Sequence, residues 1–222
     1  MLKSIILNTE KILFVGGSYD FWTIFFQINS SINIHAYIYD EYIDDFDFKG
    51  FNNIFLLNSI EHQYLKSIGI DKFIITFSSL GSNEKKFEIG NKLEKQNIYP
   101  YSFIHPSAQI SKNCKLGKGI TIYENSTIQN DVTISDYCFI NCNCTIIHNS
   151  YIGNACYLMP NSTVNGAAKI GNFCSIGPGS IISRLSKIPD KVIIGANSYV
   201  HNDLDKENSL YYGSPAKFIR KN

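Results

Sequence analysis

The chain has little tryptophan (one residue), methionine (two) or proline (six) among its 222 residues, and no run of Lys and Arg long enough to follow a phosphate backbone. Its 20 basic and 19 acidic residues give a formal charge of +1, so nucleic acid is not an expected partner. Long apolar runs are also missing. The early stretch Ile5, Ile6, Leu7 is cut short by Asn8, Thr9 and Glu10, which is too short for a secretory signal. Nothing approaches the roughly 20 apolar residues that cross a bilayer. The expectation is a cytoplasmic protein with no membrane partner, its six cysteines held as thiols. Metal is not expected either: Cys142 and Cys144 have no second pair to complete four ligands, and His105, His148 and His201 stand 43 and 53 residues apart.

What the chain does have is a beat of six. From Ile104 to Val200, every sixth residue is Ile, Leu or Val, seventeen positions without exception. If such residues fill about a quarter of an ordinary chain, chance yields this less than about once in a billion trials. A helix repeats every 3.6 residues and a strand every two, so neither accounts for six. A solenoid does, with each six-residue unit forming one short flat strand and a corner. The position four residues after each aliphatic one is mostly small, as in Ala108, Ser126, Ser150, Ser162, Ala168 and Ser180. Five of the six cysteines (Cys114, Cys138, Cys144, Cys156, Cys174) fall on that same position, where a thiol packs as a compact hydrophobe.

Before Ile104 the texture changes. Strand-like runs at Lys11 to Val15, Ile32 to Tyr39, Asn53 to Leu57 and Asp71 to Phe77 alternate with helix-like segments at Asp20 to Ile28, Ser59 to Ile68 and Ser82 to Gln96. Such alternation predicts a small parallel α/β sheet of Rossmann type over residues 1–100, followed by a parallel β-helix over 101–222.

The units Ile152-Gly153-Asn154-Ala155-Cys156-Tyr157 and Ile170-Gly171-Asn172-Phe173-Cys174-Ser175 resemble the repeat of the left-handed β-helix acyltransferases. With the preceding βαβ region and the tail Gly213-Ser214-Pro215-Ala216-Lys217, the whole resembles the bacterial sialic-acid O-acetyltransferase family. That family includes nucleotide-amino-sugar N-acetyltransferases of surface glycan biosynthesis. The resemblance implies a left-handed coil, a homotrimer, acetyl-CoA as co-substrate, and acetyl transfer to the amino group of a nucleotide-linked 4-amino-deoxy sugar. The stretch from Asn141 to Gly153 matches the family segment that carries the catalytic histidine, which places that role on His148 and a substrate contact on Asn141.

The chemistry suits those residues. An amine attacking a thioester loses a proton, and imidazole titrates near neutrality. Asn149 stands where the family has an acidic residue to orient the ring; its amide oxygen can hold the ring N–H without bringing charge. By resemblance, Gly166 supplies a backbone N–H to the oxyanion. Coenzyme A is expected at Tyr157, Pro178 and Ala196, with Pro215, Ala216 and Lys217 alongside. Tyr157 replaces a histidine common in relatives. Ser18, Tyr19 and Asp20 stand where relatives carry a glycine-rich turn that meets the sugar nucleotide, and Asp40 and Glu41 are the acidic pair after the second strand that accepts from a ribose or base.

Alternative readings are an O-acetyltransferase acting on a sugar hydroxyl such as that of sialic acid, which the same base would serve, and a non-catalytic trimeric scaffold, which Asn149 favours. A zinc hydratase of the γ-carbonic anhydrase kind needs three histidines, two of them close in sequence, and the five here are scattered.

Overall fold

The computed structural model describes residues 10–16, 24–25, 27–28, 34–39, 54–56, 62–77 and 81–222. The chain divides into two compact units, Met1–Phe77 with Gly90–Tyr101, and Ser78–Ile89 with Ser102–Asn222. No helix among the described residues is long and apolar enough to cross a membrane.

The first unit is built on five parallel strands, β1 (Glu10–Val15), β2 (Ile34–Tyr39), β3 (Ile54–Leu56), β4 (Lys72–Ile75) and β5 (Tyr99–Pro100), in the order β3-β2-β1-β4-β5. Ile12, Leu13, Phe14 and Val15 on β1 are all buried, the continuous apolar run of a central parallel strand covered on both faces. Residues 24–25 and 27–28 and the segment His62–Ser67 are helical, with Ile24, Phe25 and Leu65 buried. β5 carries no sequence signal of its own. It forms because β4 offers it partners, Tyr99 N–H donating to Asp71 O (2.7 Å) and Tyr101 N–H to Phe73 O (2.6 Å). Pro100 has no N–H to donate and is tolerated at this sheet edge.

The second unit is the coil that the six-residue beat predicts. Strands of two residues recur every six, and each pairs in parallel with the strand eighteen residues on, as Phe139↔Tyr157, Thr145↔Thr163 and Tyr151↔Lys169. The result is a solenoid of about six turns with three flat faces. The first face carries the strands from Phe103–Ile104 to Ile193–Ile194, the second those from Gln109–Ile110 to Tyr199–Val200, the third those from Lys115–Leu116 to Lys187–Ile188. The second residue of each strand points inward, and from Ile122 to Val200 every one is buried.

The small inward position does more than save space. Ser126, Ser150 and Ser180 donate their hydroxyls to Asn141 O (2.7 Å), Asn165 O (3.0 Å) and Gly195 O (2.7 Å). Cys138, Cys156 and Cys174 direct Sγ at Gly153 O, Gly171 O and Pro189 O at 2.9 to 3.1 Å. Serine and cysteine therefore serve the same position in successive turns, because each meets a buried carbonyl. Burial pushes the Cys144 thiol up to about 11 and the Cys156 thiol well above its ordinary range, so both are inert packing groups, and all six cysteines are free thiols.

Each turn has three corners with positive φ. The first corner uses Asn125, Asn143, Asn161, Gly179 and Asn197, residue types that adopt this region readily. The third corner includes Tyr137 and Phe173, which do not. Their rings are held by Phe87, edge-on at 5.9 and 5.6 Å. Phe87 sits in the first half of the helix Asn83–Glu94, the half that belongs to the coil unit and covers the first face. Asn83 Nδ2 donates to Phe173 O, Cys174 O and Ser175 Oγ at 3.0 to 3.1 Å, and Lys86 Nζ lies 4.9 Å from the Phe139 ring centre. At the far end the hairpin Ser209–Gly213 and Ala216–Lys221 adds two strands to the first face's sheet.

Candidate active site

His148 stands at the second corner, just after the strand Thr145–Ile146, with its side chain in solvent. A corner is the only place on such a coil where consecutive residues turn outward, so a side chain here escapes the flat faces. The next residue, Asn149, has φ of 61° and brings its amide oxygen to 2.9 Å from His148 Nδ1. An amide oxygen only accepts, so Nδ1 carries a hydrogen, and in the neutral ring Nε2 is the nitrogen that presents a lone pair. Asn149 thus sets both the ring's tautomer and its angle.

Gly166 lies one turn further along the same corner. A Cβ there would come within 2.9 Å of His148 Cε1 and 3.0 Å of Nε2, closer than atoms of that kind approach. The imidazole lies against bare backbone, and no other residue type leaves it that position. The Gly166 N–H makes no hydrogen bond among the described residues. Two contacts were not legible as a site in the sequence. Gln129 Oε1 accepts from the His148 backbone N–H at 3.4 Å, and Ala167 N–H donates to His148 O at 2.9 Å. Stepping eighteen or nineteen residues from His148 finds both, but that step is visible only once the turn length is known.

Asn141 and Tyr157 meet at the first corner. Asn141 Nδ2 donates to the Tyr157 hydroxyl at 3.2 Å, and its Oδ1 accepts from Cys142 N–H at 2.7 Å. Tyr157 is otherwise buried, its ring 5.3 Å from Phe139 in an aromatic row that continues through Tyr123 to Phe103. Pro178 and Ala196 occupy this corner on later turns, Pro178 exposed and Ala196 half-buried. Gly213 N–H donates to Ser198 Oγ at 3.0 Å, which brings the turn of the terminal hairpin, with exposed Pro215 and Lys217 and half-buried Ala216, to the same corner.

The candidates therefore fall into two groups at opposite edges of the second face. One edge holds His148, Asn149 and Gly166; the other holds Asn141, Tyr157, Pro178, Ala196 and the hairpin turn. The strands Thr145–Ile146 and Thr163–Val164 run between them. Ser18, Tyr19, Asp20, Asp40 and Glu41 lie outside the described residues. Among the described residues, no group of three His, Cys, Asp or Glu is placed to hold a metal ion.

Fold and site together define a parallel β-coil protein with a solvent-facing, hydrogen-bonded histidine at a coil corner. The chain belongs to the family described as GMPPB C-terminal domain, whose model matches residues 98–210. Its structure is similar to a histidine-to-asparagine mutant of perosamine N-acetyltransferase from Caulobacter crescentus, solved in complex with CoA and GDP-perosamine. The TM-score is 0.83 at 23% identity, over 94% of this chain and 96% of that one. It is also similar to WeeI from Acinetobacter baumannii (TM-score 0.74, 16% identity, 94% of this chain and 100% of that one). A third is the acetyltransferase domain of PglB from Neisseria gonorrhoeae (TM-score 0.72, 15% identity, 95% and 100%). At these identities the likeness is one of fold. No curated protein sequence matches.

Proposed function

We propose that the protein is an acetyl-CoA-dependent N-acetyltransferase that acts on the amino group of a nucleotide-linked 4-amino-deoxy sugar in surface glycan biosynthesis, in the cytoplasm. The observation that carries the reading is the His148 ring, laid over Gly166 with Nδ1 committed to Asn149 and Nε2 without a hydrogen bond among the described residues. Support comes from relatives of the same fold. One was crystallised with CoA and GDP-perosamine, and another, the PglB domain, with acetyl coenzyme A. The strand order β3-β2-β1-β4-β5 matches the first five strands of the doubly wound order 3-2-1-4-5-6, which supports reading the first unit as a nucleotide-binding sheet. We read the coil as left-handed.

Acetyl-CoA, when bound, supplies an electrophilic thioester carbonyl. His148 Nε2 takes the proton that the attacking amine sheds and can return it to the departing coenzyme A thiolate as the C–S bond breaks, and the Asn149 oxygen keeps the ring at the angle that allows it. The unengaged N–H of Gly166 donates to the negative charge developing on the carbonyl oxygen. Asn149 brings no negative charge to steady the imidazolium, so this base works by position rather than by charge.

The two groups of candidate residues lie on opposite edges of one face, which supports a site completed by a second copy of the chain. The outward residues of the second face are Gln109, Thr127, Thr145, Thr163, Ile181 and Tyr199, without a charge among them. The third face presents Lys115, Thr133, Tyr151, Lys169 and Lys187 instead. We take the second face as the contact of a homotrimer in which the His148 edge of one copy meets the Asn141–Tyr157 edge of the next.

The test is coenzyme A release from acetyl-CoA with UDP-, dTDP- and GDP-linked 4-amino sugars, and with free sialic acid as the hydroxyl competitor. One amino-sugar nucleotide should be turned over, and His148→Ala should slow it about 10²- to 10⁴-fold with the melting temperature unchanged. No release with any amino-sugar nucleotide ends the reading.

A further inference from the structure

The edge that bears His148 continues past Gly166 to Arg184. Ala167 N–H donates to His148 O, and Leu185 N–H to Gly166 O at 3.1 Å, so His148, Gly166 and Arg184 stand on successive turns of one corner. Stacked strands lie about 4.8 Å apart, which puts Arg184 about 10 Å along the edge from the histidine. Its side chain is exposed and makes no ion pair or hydrogen bond among the described residues. Beside it, Leu185 is 57% exposed with φ of 66°. Two earlier positions of that corner hold Asp131 and Asn149, which adopt such a φ with little strain. A bulky leucine does so only at a cost, and more than half of its surface stays uncovered within its own chain. One turn higher, the His201 ring stands beside the same edge, its Nδ1 3.3 Å from the Tyr199 hydroxyl, which is 3.4 Å from Ser183 Oγ.

We infer that Arg184, backed by His201 on the next turn, grips the phosphates of coenzyme A while Leu185 packs against the apolar arm. The inference rests on the acetyltransferase reading. If the thioester sits at His148, the phosphates must lie an arm's length away. That arm, two amide-linked units, is about as long as four extended residues, roughly 14 Å. Three turns of the coil, from His148 to the turn of His201, span about the same. Pro178 shares a turn with Arg184, and Ala196 shares one with His201, so the opposite edge rises in step. Gly166 leaves the intervening backbone bare. A guanidinium fork matches phosphate oxygens in geometry and charge better than any other side chain.

Calorimetry with coenzyme A and with pantetheine, which lacks the phosphates, tests this directly. Arg184→Gln should weaken coenzyme A binding about tenfold or more and close most of the gap between the two ligands. Arg184→Lys should retain part of the difference, and both variants should melt with the wild type. A wild type that binds coenzyme A and transfers acetyl, alongside an Arg184→Gln that binds coenzyme A equally well, overturns the phosphate grip alone. Equal loss for coenzyme A and pantetheine overturns it too, because the arginine would then act on the arm or the fold. A wild type that binds no coenzyme A overturns the grip together with the function beneath it.

Discussion

Gly166 shows how one absent methyl group shapes the site. Its backbone φ is not in the positive region, so alanine fits the chain itself. What alanine does not fit is the imidazole, because the new Cβ would meet Cε1 at 2.9 Å. Gly166→Ala should therefore swing the ring off its Asn149 hydrogen bond and lower acetyl transfer about a hundredfold or more. The melting temperature should move by no more than about 2 °C, since the displaced group is solvent-exposed. A crystal structure of the variant with the ring unmoved and activity retained would refute this. His148 and Asn149 were legible in the sequence because they sit inside a contiguous motif. Gly166 was legible only as a backbone donor. That its bareness makes room for the ring depends on residues eighteen apart lying in contact, and for the same reason Gln129 was invisible as a neighbour of His148 and Arg184 as a member of the same corner.

The repeating unit shows the same division between what a pattern contains and what stacking adds. The aliphatic beat and the small position were plain in the sequence, and the strands fall on them. The glycine of the Ile-Gly-Asn unit acquires its reason only in three dimensions. At the third corner a ladder of side chains climbs the coil: Asp136 Oδ1 accepts from Lys118 N–H (3.0 Å), Asn154 Oδ1 from Asp136 N–H (3.2 Å), Asn172 Oδ1 from Asn154 N–H (2.9 Å) and Asp190 Oδ1 from Asn172 N–H (2.7 Å). A Cβ at Gly117 or Gly171 would run into the Asp136 or Asp190 carboxylate. Tyr137 and Phe173 at positive φ likewise have no local logic, since the ring that holds them, Phe87, comes from a helix outside the repeat. The ladder makes a prediction. Asp190→Ala removes the acceptor of both the Asn172 N–H and its amide (3.1 Å), a loss of about 1–3 kcal/mol. The melting temperature should fall by about 3–10 °C, whereas Asp203→Ala, with one backbone donor to lose, should fall less. Equal melting of Asp190→Ala and the wild type would show that the ladder is decoration.

At the scale of the whole molecule, the separation of the two groups of candidate residues bears most on the proposed assembly. His148 and the Asn141–Tyr157 pair lie on opposite edges of a face whose six outward residues, three of them threonine, carry no charge. If a neighbouring copy completes each site, two crippled proteins should rescue each other. His148→Ala supplies an intact first corner and Asn141→Ala an intact second corner, and each alone should be nearly inactive. Unfolded together in equal amounts and refolded, they should form mixed trimers. A site is whole when its histidine comes from the Asn141→Ala chain and its facing corner from the His148→Ala chain, which random assembly gives at about one site in four. Activity should therefore return to about a quarter of the wild-type level, while the separately refolded proteins stay inactive. Mixing without unfolding should restore nothing if the trimer is stable. A co-refolded mixture no more active than its components would mean that each site is built within one chain, and sedimentation at monomer mass would mean the same.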